Sequence, residues 1–280
     1  MAYNVLHKLE GNIQAIRIAL SWDGRTPVSE DDEALLKNYS GFGGIKAILY
    51  GDGNMESWKG QGASQEDERL YEPMQKLYAL LGEHFDQNGY KAVVQSLKNS
   101  VLTAFYTPSI VPEILYSVLK NQGIYPQDIY EPSAGAGIFV TEAIKKFPSA
   151  KVTAVEKDLL TGKILKALTS RHPDSVAVHI KGFEQAPATD DGTYDLVVSN
   201  IPFGNFTVHD PTVDRRLSSR IHNYFFAKGL DKLKDGGLLA YVTTNGFLDS
   251  PSNQEARAYL FQRVNFICLA VMPDNLMWDT

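Results

Sequence analysis

The sequence predicts an α/β protein: a doubly wound, mostly parallel sheet preceded by a helical cap. Three observations carry this. From about residue 129, short β-rich runs alternate with helical segments of roughly ten to fifteen residues, the pattern of parallel strands joined by crossover helices. A glycine-containing turn, Ser133-Ala-Gly-Ala-Gly137, links the first such run to the first helix, where doubly wound folds place a ligand. Residues 1 to about 100 show no strand-like alternation.

In that first stretch, EDERLYEPMQKLYALLGEHF sets Leu70, Met74, Leu77, Leu80, Leu81 and Phe85 at helical spacing, and YKAVVQSLKN continues in the same style. Between them and the acidic SEDDEALLKNY lies GFGGIKAILYGDG, where Gly41, Gly43 and Gly44 permit a tight turn. Residues 1–100 are therefore expected to form a helical N-terminal cap. Residues 101–280 are expected to form the sheet domain. Its candidate strands are DIYEP, KVTAVE, VAVHI, YDLVVSN, GLLAYVTT and NFICLAVM; its candidate helices are IFVTEAIKKF, LLTGKILKALTSRH, NYFFAKGLDKLK and NQEARAYLFQRV. The KDGG turn, Lys234 to Gly237, ends a helix where a glycine is expected.

Composition narrows the function classes. No stretch approaches the roughly 18 uninterrupted apolar residues of a membrane span, and Lys8, Glu10 and Arg17 break the N-terminal apolar run, so neither a span nor a secretion signal is expected. One cysteine, Cys268, cannot form an internal disulfide, and the scattered histidines offer no zinc-ligand spacing. A cytoplasmic protein without a metal is the expectation, with Cys268 in the core of the sixth strand. The formal net charge of −6 predicts that the chain alone holds DNA weakly, because phosphate neutralisation supplies much of DNA affinity. Arg215, Arg216, Arg220, Lys228, Lys232 and Lys234 form the local basic exception, read first as a solvated loop and helix face and second as phosphate contacts.

The glycine turn lets backbone amides approach a ligand closely, and Glu156, about 20 residues further on at the end of the next strand, can accept both hydroxyl hydrogens of a ribose. The third glycine of a dinucleotide site and the lysine of a P-loop are both missing, so a nucleoside without phosphates fits better than a pyrophosphate ligand.

The fourth strand ends in Asn200, Ile201, Pro202, Phe203 and Gly204. Here the sequence resembles the amino-methyltransferases, whose signature at this point is Asn or Asp, Pro, Pro and an aromatic. Phe105-Tyr-Thr-Pro108 resembles the family's segment near the cofactor's methionine end, EPSAGAGIF its glycine loop, Glu156 its ribose acid, and Gly182 with Phe183 its adenine-flanking element. With the cofactor motifs ahead of the catalytic one, the chain is similar to the γ-type N6-adenine DNA methyltransferases over about residues 100–280. YSGFGGI, NIPFGN and IHNYFF together resemble the methylase modules of methylase-helicase proteins of phages and conjugative elements.

The resemblance implies S-adenosylmethionine as cofactor, held by Tyr106, Thr107, Glu131, Ser133, Gly135, Gly137, Glu156, Lys157, Gly182, Phe183 and Asn200. It implies Asn200, Ile201, Pro202 and Phe203 as catalytic residues acting on adenine in DNA, and further domains of a parent protein, a target-recognition or helicase part, as partners. Its sheet normally gains a strand between the fifth and sixth, so a longer parent protein is expected. The adenine amino nitrogen is a poor nucleophile because its lone pair is delocalised. The Asn200 side-chain oxygen and the Ile201 carbonyl would accept its two N–H bonds and align the lone pair with the methyl group, while Phe203 stacks on a base turned out of the duplex. Ile201 replaces the family's first proline and so gives up a rigid φ. Gly182 stands where relatives carry an aspartate to the adenine amino group, which leaves Glu184 to substitute. His222 is expected to be structural, with Asn223 capping its helix. The same signature would also serve a glutamine amide or RNA, or a binding module without turnover.

Overall fold

The computed structural model describes residues 5–101, 107–204, 206–273 and 276. Six helices come first: α1 (Val5–Ser21), α2 (Glu30–Leu36), α3 (Met55–Gly60), α4 (Gln65–Glu68), α5 (Tyr71–His84) and α6 (Gln87–Ser100). Then follow α7 (Ile110–Asn121), β1 (Asp128–Glu131), α8 (Ile138–Lys146), β2 (Lys151–Glu156), α9 (Leu159–Leu168), β3 (Val176–Ile180) and β4 (Tyr194–Asn200). The chain continues through α10 (Arg215–Ser218), α11 (Ile221–Lys232), β5 (Leu233–Val242), α12 (Gly246–Asp249) and α13 (Gln254–Phe261).

Two compact units result. The first holds, among the described residues, 5–101 and 158–171, and is helical throughout. Its core takes Leu9, Ile13 and Ile16 from α1 and Met74, Leu77 and Leu81 from α5, at the helical spacing the sequence shows. Asn12 is buried and pins the glycine turn, donating to the Gly41 carbonyl at 2.6 Å and accepting from the Ser40 amide at 3.0 Å. Gly41 (φ 69°) and Gly44 (φ 76°) take the left-handed backbone that the turn requires. The crossover helix α9 belongs to this unit, where the Thr161 and Tyr39 hydroxyls lie 3.1 Å apart.

The second unit holds residues 107–157 and 172–278. Its five strands are all parallel in the order β3-β2-β1-β4-β5. The direction of winding reverses between β1 and β4, so a crevice opens beyond their carboxyl ends. Beneath it lies a core of Tyr130, Val155, Phe183, Val197, Ile201, Tyr224 and Phe225.

β5 carries a local irregularity where the KDGG turn is predicted. Leu233 pairs with Tyr194 and Leu238 with Leu196, so residues 234–237 loop out between them. Gly236 (φ 78°) makes the bend, and a Cβ on Gly237 would fall 2.9 Å from the Lys234 carbonyl oxygen, so a side chain is excluded there.

The sixth predicted strand does not form. Residues 264–273 have no strand assignment, and Phe266, Ile267, Leu269 and Val271 are each more than half exposed. Cys268 is likewise exposed rather than in the core. Among the described residues, no helix is long and apolar enough to cross a membrane.

Candidate active site

The site begins with β1. Glu131 closes that strand and is 1% exposed. Burial pushes its carboxyl well above the ordinary range, and the neighbouring Glu156 charge adds to the rise. The Ser133 amide donates to Glu131 Oε1 at 3.4 Å, and the Ser199 hydroxyl lies close by without hydrogen-bond geometry. Oε2 accepts no hydrogen bond.

After β1 the chain turns through Gly135 (φ 53°) and Gly137 (φ 88°), and Gly137 caps α8. The positive φ values at both explain why glycine stands there. The turn is fixed from β2: the Ala134 amide donates to the Val155 carbonyl at 2.9 Å, and the Gly135 amide donates to Glu156 Oε2 at 2.7 Å. The acid predicted to serve a ribose therefore also clamps the glycine turn. Glu156 is 8% exposed at the end of β2.

Beyond β3, Gly182 and Phe183 are buried. The Phe183 ring packs against Tyr130 at 5.8 Å, Phe225 at 5.2 Å and Tyr224 at 5.8 Å between centroids. A Cβ on Gly182 would collide with the Glu184 carboxylate, whose atoms lie 2.2–2.4 Å from that point. Glu184 thus fills the space beside the glycine and pairs with Lys157 at 3.1 Å. Lys157 lies outside the buried cluster, with its side chain 76% exposed.

The register of β4 against β1 pairs Tyr130 with Val197, which brings Ser199 and Asn200 to the carboxyl end beside Glu131. Asn200 Oδ1 is buried and accepts no hydrogen bond. Ile201, which departs from the family's proline, is 1% exposed in the core, and its amide donates to the Val242 carbonyl at 3.2 Å. A proline could not donate there. Packing and this hydrogen bond supply the rigidity that the missing ring would have given. Pro202 and Phe203 follow, half-buried, with the Phe203 ring centroid 6.2 Å from His222.

His222 meets the Thr243 hydroxyl at 2.8 Å, and burial lowers its pKa, which favours the neutral ring. Asn223 does not cap α11. Arg220 occupies that position, while Asn223 is buried in the first turn and donates to Asn253 Oδ1 at 3.2 Å. Thr107 is buried ahead of α7, while Tyr106 and Phe105 lie outside the described residues.

Of the basic residues, Arg215, Arg216 and Lys234 are exposed as the solvated reading expects, whereas Lys228 and Lys232 depart from both readings. Lys228 and Lys232 are buried ion pairs: Lys228 with Asp210 at 2.5 Å, Lys232 with Asp191 at 2.6 Å and with Asp190. Lys234 pairs with Asp195 and Arg216 with Asp214, while Arg215 is exposed. The sequence reading passed over Ser199, the polar residue in an otherwise apolar strand end, and Asp210, whose partner lies 18 residues away.

The donor set suits S-adenosylmethionine, a cation with a ribose and an adenine. Two carboxylates, a glycine turn and a buried unpaired oxygen lie at the carboxyl ends of β1, β2 and β4. Among the described residues no group of His, Cys, Asp and Glu is arranged to hold a metal.

Comparison with solved structures agrees on the fold. A class I S-adenosylmethionine-dependent methyltransferase from Listeria monocytogenes superposes with a TM-score of 0.52 at 14% identity, covering 91% of this chain and 79% of that one. Among characterised sequences, the defense against restriction protein B of Escherichia phage P1 is 29% identical over 59% of this chain and 7% of its own length. The type II methyltransferase M.XamI of Xanthomonas campestris pv. amaranthicola is 25% identical over 60% of this chain and 35% of its own. The chain thus spans a minor part of both relatives. The sequence model of the Eco57I restriction-modification methylase family matches residues 112–273, more than half of the chain. The chain belongs to the Eco57I restriction-modification methylase family, and that family and this fold imply S-adenosylmethionine as its cofactor.

Proposed function

We propose that the chain transfers the methyl group of S-adenosylmethionine to the N6 amino group of adenine in DNA, with the target base outside the duplex at the Asn200–Phe203 turn. One observation carries the reading: the Asn200 side-chain oxygen is buried and unpartnered at the end of the strand next to the glycine turn. Native folds rarely leave such an oxygen without a partner unless a ligand supplies it. An amino hydrogen is the matching donor, and the Ile201 carbonyl takes the second one.

The cofactor supplies an activated methyl group when bound. Glu156 accepts its ribose hydroxyls, the glycine backbone of the Ser133, Gly135 and Gly137 turn lets it come close, and Glu131 faces its positive charge. Phe183 flanks the adenine, Glu184 takes the role that an aspartate at 182 has in relatives, and Thr107 borders the methionine end. Two held N–H bonds localise the nitrogen lone pair, and Phe203 stacks on the base. Attack needs no general base, because the nitrogen sheds its proton after methylation. Sequence recognition belongs to other parts of a longer protein, in keeping with the net charge of −6.

The test is Asn200→Ala with radiolabelled cofactor and adenine-containing DNA. Methyl transfer is expected to vanish while calorimetric binding of S-adenosylhomocysteine stays within about threefold, since the residue's side chain serves the target. Equal loss of transfer and binding would remove Asn200 from the target site, and label found in protein but not in DNA would refute the substrate.

A further inference from the structure

Two buried charges lie between the adenine-flanking turn and the loop that leaves the target-binding turn. Asp210 is seven residues beyond Phe203, and its side chain is 0% exposed. Its Oδ2 accepts from Lys228 Nζ at 2.5 Å and from the Tyr224 hydroxyl at 2.8 Å, and its Oδ1 accepts from the Thr212 amide at 2.9 Å and hydroxyl at 2.6 Å. The carboxylate is saturated. Lys228, with a side chain 5% exposed, also reaches the Glu184 carbonyl at 3.5 Å and sits 5.5 Å from the Phe183 ring centroid. One ammonium therefore touches both the segment 183–184 and the loop anchored at Asp210.

A buried ion pair is a poor device for stability alone, because removing two charges from water offsets most of their attraction. It is a good device for fixing geometry, since the ammonium is tolerated only where all its partners stay in place. If Phe183 and Glu184 shift by a fraction of an ångström around a ligand, Lys228 must follow or lose its carbonyl and ring contacts, and Asp210 must follow Lys228. The far side of the loop is also tied down, with the Val208 amide donating to the Ser218 carbonyl at 3.0 Å. Movement at the adenine side is thus passed to residues 206–214 rather than absorbed.

Resting on the cofactor reading above, we infer that Lys228 and Asp210 are positioning residues that couple occupancy of the cofactor site to ordering of the target loop. The test is limited trypsinolysis of the full chain, following cleavage after Arg215 and Arg216, which are exposed at the end of that loop. In the wild type, saturating S-adenosylhomocysteine is expected to slow this cleavage at least about fivefold. In Lys228→Met, and in the near-isosteric Asp210→Asn, the protection is expected to fall below about twofold, at a temperature where circular dichroism shows the variant folded and with calorimetry showing the site filled. A generally weakened fold would raise cleavage with and without ligand alike and leave the ratio unchanged. Unchanged protection in both variants overturns the coupling alone, whereas failure of the wild type to bind S-adenosylhomocysteine overturns the cofactor reading with it.

Discussion

Restoring the family's proline at position 201 is expected to damage this protein. Ile201 donates its amide to the Val242 carbonyl at 3.2 Å and buries its side chain at 1% exposure. Ile201→Pro deletes the hydrogen bond, worth about 0.5–1.5 kcal/mol net. It also removes one side-chain carbon and the branch that fills the core, about 0.8 kcal/mol for the transfer of one carbon plus a cavity contribution. The sum is about 2–3 kcal/mol. A unit of this size loses roughly 2–4 °C of melting temperature per kcal/mol, so a fall of about 4–12 °C is expected by circular dichroism. Ile201→Val keeps the donor and most of the packing and is expected to cost about 0.5–1.5 kcal/mol. The carbonyl acceptor survives both changes, so the methyl-transfer rate per folded molecule is expected to fall less than the melting point suggests. A proline variant melting within about 1 °C of wild type, with undiminished turnover, would refute the argument that packing replaces the ring.

Glu156→Gln keeps a neutral acceptor for the Gly135 amide but removes the charge that would accept ribose hydroxyls, so near-wild-type melting with at least about tenfold weaker S-adenosylhomocysteine binding is expected by calorimetry; unchanged affinity would leave Glu156 as a loop clamp only. For Asp210, burial opposes ionisation, but hydrogen bonds from Lys228, Thr212 and Tyr224 prevail and hold the carboxyl down to about 2 from its ordinary 3.8. Because the folded value lies below the unfolded one, this stabilisation is whole above about pH 5 and is lost as pH falls through about 2. Urea midpoints of wild type and Asp210→Asn are therefore expected to converge between about pH 5 and about pH 2.5, and a gap that stays constant across that range would contradict the assignment.

The first five strands were legible because each alternates or runs apolar between turn residues, whereas KDGG, read as the end of a helix, lies beyond the end of α11 and loops out within β5. NFICLAVM carries the same β propensity and yet forms no strand. Propensity describes fit to a pleated surface, and a strand exists only where a partner edge is offered to it. The buried lysines were illegible for a related reason. Lys228 and Lys232 are four residues apart on α11 and read as one solvated stripe; they are interior only because Asp210, Asp190 and Asp191 arrive from other segments. The one local hint is their setting in NYFFAKGLDK, a helix whose remaining residues are largely apolar or aromatic. Motifs at strand ends fared differently. The order of Glu131, Gly135, Glu156 and Asn200 along the chain translates directly into adjacency, because a parallel sheet aligns every carboxyl end on one edge.

That alignment also sets the electrostatics. Glu131 and Glu156 end adjacent strands, both buried at a cost, and the Glu156 charge further disfavours ionisation of Glu131. Glu156 offsets its burial with the Gly135 amide, whereas Glu131 has only the long Ser133 contact for one oxygen and nothing for the other, and burial drives its carboxyl up. A protein optimised for stability alone would replace such a residue with an apolar one, since an unsatisfied buried polar atom costs about 1–3 kcal/mol. On the proposed reading, positive charge entering the crevice, which S-adenosylmethionine carries on its sulfonium and its ammonium, would offset this cost. On the proposed reading, demethylation removes the sulfonium charge while leaving ribose and adenine unchanged, so the acid pair is expected to favour the reactant over the spent cofactor. On the same reading, the unsatisfied Glu131 carboxyl that costs the fold stability would also help the site to release its product.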